Sequence, residues 1–196
     1  MKKGIIFFGV VSLIIFSFGF ISGDDMIIGK NGIASLIIDS SNLKDIRKNF
    51  PNGKRDVHKV RMQGRGYACL KTGRCIEIKG KKHTVKFVSY VDEKNGLKFN
   101  LGKDDNLKSI SFIKPTKYKT NKGIGVGDNS FYDLDSLYGQ KSWCKHISGN
   151  CKIYGNLQFF PNDSLVKAKL TTDELNKLDS HKLTIEKIVL FKSSTE

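Results

Sequence analysis

Leu97-Lys-Phe-Asn-Leu101 and Leu107-Lys-Ser-Ile-Ser-Phe-Ile113 alternate apolar with polar residues. A period of two gives a strand one apolar and one polar face, so these runs read as half-buried neighbouring strands. The alternation extends upstream through Val57–Met62, Tyr67–Leu70, Cys75–Ile78 and Thr84–Val91, with turns expected at Lys71-Thr72-Gly73, at Gly80 and at Glu93-Lys94-Asn95-Gly96. Ahead of it the period changes. Leu43, Ile46 and Phe50 fall on one side of a helix that Ser40 or Ser41 can cap and Pro51-Asn52-Gly53 ends, preceded by short strands over Met26–Ile28 and Ile33–Ile38.

The second half follows a similar plan. Gly123-Ile124, a capped helix with Phe131, Leu134 and Tyr138, and a closing strand at Leu183–Lys192 answer Gly32-Ile33, the Leu43–Phe50 helix and Leu107–Lys114. Asp128, Asn129 or Ser130 can cap the second helix, and Gly139 ends it. Strands are expected at Lys152–Tyr154, Leu157–Phe160 and Leu165–Leu170, and a short helix opens at the Thr171-x-x-Glu174 box. Ordered agreement of these landmarks points to an α+β fold built as a tandem duplication, each unit one helix packed on an antiparallel β-meander. The expected division is a leader over 1–23, a first unit over 24–113, a linker over 114–122 and a second unit over 123–196.

Lys2 and Lys3, an uncharged apolar run from Gly4 and small residues up to Gly23 have the form of a signal peptide. The run is also nearly long enough to serve as an uncleaved inner-membrane anchor. Either way the expected location is periplasmic or secreted. In such a compartment four cysteines form disulfides, and the two halves favour local pairs, Cys69 with Cys75 and Cys144 with Cys151. Their spacings do not match a structural zinc site, and neither a metal nor a cofactor is implied.

Charge divides the halves. Residues 44 to 122 carry 22 Lys and Arg against 7 Asp and Glu, whereas residues 123 to 196 carry 9 of each. Arg61, Arg65, Lys71, Arg74, Lys79, Lys81 and Lys82 gather around the first cysteine pair with Tyr67 among them, a cationic surface with an aromatic suited to an anionic ligand. A merely solvated lysine-rich face is the competing explanation, but it accounts less well for clustered arginines. The expected partners are an anionic envelope component, lipid or polysaccharide, or a protein, with nucleic acid a less favoured polyanion.

No catalytic residue is assigned. Gly123-Ile-Gly-Val-Gly127 lacks the Lys-Ser/Thr of a phosphate loop and reads as a strand turning into a capped helix. The sharpest enzyme alternative is a small secreted nuclease-like hydrolase, with His58 and His83 meeting across a sheet as acid and base beside Arg61 or Lys86. A third class, an inhibitor of a foreign enzyme, would use aromatics such as Trp143 or Tyr67 as anchors.

Gly123-Ile-Gly-Val-Gly-Asp, Phe131-x-x-Leu134, Tyr138-Gly139, Cys144 and Cys151 together resemble the pattern of a family of uncharacterised, envelope-stress-regulated lipoproteins of Gram-negative bacteria. The segment from Gly32-Ile33 to Phe50-Pro51 is similar to that family's N-terminal part. A helix leading into a sheet, twice over, is similar to the scaffold of the β-lactamase inhibitor protein. These resemblances imply an envelope or secreted protein with no assigned reaction. The chain departs from the lipoproteins in having no lipidation cysteine and an extra pair at Cys69 and Cys75. The function this supports is an exported non-enzymatic binding or structural module.

Overall fold

The computed structural model describes residues 26–69, 75–146, 149–167 and 170–192; residues 62–69, 75–79, 83, 144–146, 149, 163 and 167 are described by their backbone alone. The leader reading lies outside the described residues. In chain order the elements are β1 (Ile27–Ile28), β2 (Gly32–Ile33), β3 (Leu36–Ile37), α1 (Leu43–Asn49), β4 (Lys54–Cys69), β5 (Cys75–Asp92), β6 (Leu97–Leu101), β7 (Leu107–Ile113) and β8 (Lys119–Thr120). Then come α2 (Phe131–Tyr138), β9 (Cys144–His146), β10 (Gly149–Tyr154), β11 (Leu157–Phe160), α3 (Asp163–Lys167), α4 (Thr172–Asn176), a 3-10 turn over Ser180–Lys182, and β12 (Lys187–Phe191).

Eight strands form one antiparallel sheet in the order β4-β5-β6-β7-β12-β11-β10-β9, with β4 at one edge. Register lines its inner face with rows of apolar residues. One runs Tyr90, Phe99, Ile110, Leu190, Leu157, Tyr154; the next runs Leu97, Phe112, Ile188, Phe159. Ile46 and Phe50 at the first helix and Phe131 and Leu134 of α2 belong to the same contiguous buried cluster. The alternate positions are mixed: Ser89, Asn100, Ser109 and Ser111 share the outer face with Val91, Val189, Phe191 and the buried Phe160.

This corrects the expected fold class. Strand outweighs helix, 43% against 20%, and the chain is mostly β rather than a clear duplication of an α+β unit. The β7–β12 pairing merges both meanders into one sheet over one core. The halves also differ in build: β4 and β5 have 16 and 18 residues against 3 and 6 in β9 and β10, and α3, α4 and the 3-10 turn separate β11 from β12.

Local departures have identifiable causes. Asn42, not a serine, caps α1: its side-chain oxygen accepts from the Lys44 and Asp45 amides at 2.8 and 3.3 Å, while the Asp45 carboxylate accepts from the Asn42 amide. Ser41 is spent elsewhere, its hydroxyl accepting from the Ile37 amide at 2.9 Å. The first half of the strand expected over Leu165–Leu170 lies in α3, which ends at Lys167 and where the Asn162 side chain accepts from the Leu165 amide; residues 168–169 lie outside the described residues. Gly80 does not turn the chain; β5 runs through it, and the register slips by one between Gln63 and Arg65, a bulge that absorbs the extra residue. The expected linker carries β8, which pairs in parallel with β1, and its Tyr118 and Thr120 are buried. Gly96 at φ 62° makes the β5–β6 turn, and its carbonyl accepts from the Ile113 amide.

The boundaries of β6, β7 and β11 agree with those expected from the sequence, and three helices open on reciprocal caps centred on Asn42, Ser130 and Thr171. Donation by the Ser130 amide and hydroxyl holds the Asp133 carboxyl below its ordinary range, as Lys108 and Lys192 do for Asp39. A folded-state pKa below the unfolded value, about 3.9 for an aspartate, contributes stability that is complete above that value and lost as pH falls through the folded one. Urea midpoints are therefore expected to drop on acidification below about pH 4, and Asp133→Asn should flatten part of that drop while lowering the midpoint at neutral pH.

Candidate functional site: the basic ribbon

β6 ends at Leu101, opposite Val88 of β5. Beyond that point β4 and β5 have only each other in the sheet, from the His58–Phe87 pair out to Cys69–Cys75. Twelve residues of β4, at about 3.3 Å each, make a two-stranded ribbon roughly 40 Å long. Between Val57 and Val88 the sequence holds nine Lys and Arg residues and one acid, Glu77.

Register sorts these charges. Lys59, Arg61 and Arg65 on β4 and Lys86, Lys82 and Lys79 on β5 occupy positions of one parity, the parity that in the sheet body carries Tyr90 and faces the core. Of the six, Lys59, Arg61, Lys82 and Lys86 are described with side chains, and all four are exposed. Lys59 lies directly opposite Lys86, and Arg65 opposite Lys79. Directly opposed like charges destabilise a strand pair. The inner face of the sheet thus continues outward as a cationic face.

The other parity, which in the sheet body mixes serines and asparagine with Val91, Val189 and Phe191, carries Val60 opposite Val85 and Phe87 opposite His58 in the ribbon, with Val60 at 45% and Phe87 at 52% exposure. Ile76 and Ile78 fall at register positions of the same parity, opposite Ala68 and Gly66. The ribbon thus sets its cations on the parity that carries the core in the sheet body, with exposed apolar residues on the other.

Of the residues singled out by sequence, Arg61 and Lys82 stand on the cationic parity, one pair of positions apart. Arg65, Tyr67 and Lys79 share that parity by backbone register, and Lys81 sits in the bulge beside Gly80, exposed. Lys71 and Arg74 lie outside the described residues. Lys59, which sequence reasoning missed, and Lys86, which it named only for the hydrolase alternative, belong to the same face, a membership that depends on a register charge clustering alone does not reveal. His58 and His83 do not meet: His83 pairs with Met62, four residues along β4 from His58, about 13 Å. His58 instead holds Asp56 at 2.7 Å, and Arg61 and Lys86 occupy the opposite parity. Cys69 lies opposite Cys75 and Cys144 opposite Cys151. Directly opposed antiparallel residues have Cα separations of about 4.5–5.5 Å, inside the range a disulfide spans.

A second polar cluster lies under α2. The Lys152 ammonium, in a residue 4% exposed, donates to both Asp135 carboxylate oxygens at 2.9 and 2.6 Å, and the Tyr154 hydroxyl lies 2.7 Å from the same carboxylate. Burial, with Asp135 beside it, pushes the Tyr154 phenol far above its ordinary pKa and keeps it protonated. Trp143 is buried against Phe131, centroids 4.7 Å apart, so it is part of the core and not a displayed anchor. A cavity of about 370 Å³ adjoins the cluster, lined also by Gln140, Lys141, Ser142 and Asn176. The buried charges satisfy one another, which makes the cluster a structural clamp between α2 and β10.

Compared with known proteins, the chain matches no family model, no curated protein and no solved structure.

Removing one member of the clamp leaves an uncompensated buried charge. Asp135→Ala is expected to cost about 3–5 kcal/mol, and Asp135→Leu with Lys152→Met to recover most of it. Urea denaturation read at Trp143, the chain's single tryptophan, measures both.

Proposed function

We propose that this chain is an exported, non-enzymatic binding module whose basic ribbon docks on an anionic component of the cell envelope. One observation carries the reading. A two-stranded ribbon, which has little stability to spare, sets lysine opposite lysine and arginine opposite lysine along one face. Such pairs oppose folding, and an anionic ligand relieves the repulsion by neutralising both members. A solvated face needs positive charge spread out; it does not need it opposed at matched positions.

The clustering of Arg61, Arg65, Lys79, Lys81 and Lys82 supports the same reading, and Lys59 and Lys86 extend it toward the sheet. Export follows from the leader pattern. The two cysteine pairs, each directly opposed across a hairpin, suit structural disulfides in that compartment, with the Cys69–Cys75 bridge closing the ribbon near its tip. The weak likeness to envelope lipoproteins agrees with this location and adds no reaction. A hydrolase remains the alternative, and it requires turnover that depends on His58 or His83.

Binding to immobilised heparin, a generic polyanion, is expected to weaken steeply as salt rises, in proportion to the number of cations neutralised. Lys59→Gln with Lys86→Gln should weaken it and make its salt dependence shallower while leaving the urea midpoint unchanged or higher, since the two substitutions together remove an opposed like-charge pair. Unchanged affinity and salt dependence in that double variant would overturn the assignment. Peptide mapping without reductant should recover Cys69 joined to Cys75 and Cys144 joined to Cys151; any cross-half pairing would refute the local bridges.

A further inference from the structure

We infer that the occupant of the ribbon is an anionic lipid bilayer, entered by the Val60, Val85 and Phe87 face while the cations hold the headgroups. The inference rests on the polyanion reading above and names its partner. Cations alone do not distinguish a phospholipid surface from a polysaccharide; the second face does. A polysaccharide or nucleic acid has no use for an exposed row of valine and phenylalanine, whereas a bilayer interface takes up both faces of an amphipathic element at once.

Three features point to the interface. Val60 and Phe87 are about half exposed on the ribbon, in line with register positions Ile76 and Ile78 and on the side of the sheet away from the core cluster. The apolar face therefore cannot be an extension of the core, which lies on the opposite side of the sheet. The charge around it selects the surface: nine cations to one acid between Val57 and Val88 repel a second copy of the same ribbon and attract an anionic leaflet. The geometry fits lying in the plane. Long Lys and Arg side chains on the upper face reach back to headgroup level along their apolar stems, and the ribbon's thickness is comparable to the screening length of about 8–10 Å, so their attraction survives. Among the described residues no helix is long and apolar enough to cross a membrane, and this mode of attachment needs none.

Flotation with phosphatidylcholine vesicles, with and without phosphatidylglycerol, tests the inference beside the heparin assay. The wild-type chain should float only with the anionic vesicles. Val60→Ser with Phe87→Ser should lower that affinity by about tenfold or more while leaving heparin binding and the thermal midpoint unchanged. Phe87→Trp should show a blue-shifted emission on the anionic vesicles, measured against the wild-type signal of buried Trp143. Flotation unaffected by the serine variants, or no blue shift, would mean adsorption by charge alone and would overturn insertion. Heparin binding without flotation would overturn the bilayer and keep the polyanion reading, with a polysaccharide or an acidic protein as the partner. Loss of both would overturn the two readings together.

Discussion

Antiparallel pairing of β7 with β12 is the constraint from which the rest of the structure follows. It aligns Ile110 with Leu190 and Phe112 with Ile188, so the apolar rows of both meanders become continuous and share one buried cluster with the helices. With the sheet anchored at its middle, its edges are free to differ. One edge ends in short strands under α2, clamped by Lys152 and Asp135; the other extends β4 and β5 past every neighbouring strand.

That extension changes what each face of a strand means. In the sheet body, inner positions are apolar because the helices cover them, while outer positions are mixed. Past Val88 no helix among the described residues covers the inner positions, and there they carry lysine and arginine, with Val60 and Phe87 exposed on the other side. A strand pair with both faces open gains little from burial. Its sequence is consequently released from the demands of folding and available for a surface role. The like-charge pairs are where that release is clearest, since nothing in the fold favours them.

How far the sequence was legible follows the same logic. β6 and β7 lie where the alternation places them, because each buries one face and the two-residue period records it, whereas β11 is buried on both faces and is marked by its short apolar run between turns. The caps of α2 and α4 were readable because a hydroxyl and an acid three residues apart form a local device. The joining of β7 to β12 was not, since it pairs segments distant along the chain and leaves no local signature. The expected turn at Gly80 splits what is one strand, because a glycine that marks a turn also marks a bulge, and here the bulge absorbs the irregularity. Arg61 and Lys82 could be picked out by charge density. Lys59, Lys86 and the apolar face needed the register.

β4 forms the rim of the sheet along its sixteen residues, and such a rim displays main-chain donors and acceptors to any extended segment of another chain. Lysine-bearing rims repel one another, which disfavours stacking of copies through them. A saturating counter-charge would remove that repulsion, so a polyanion bound as proposed would also favour assembly into ordered arrays at high surface density.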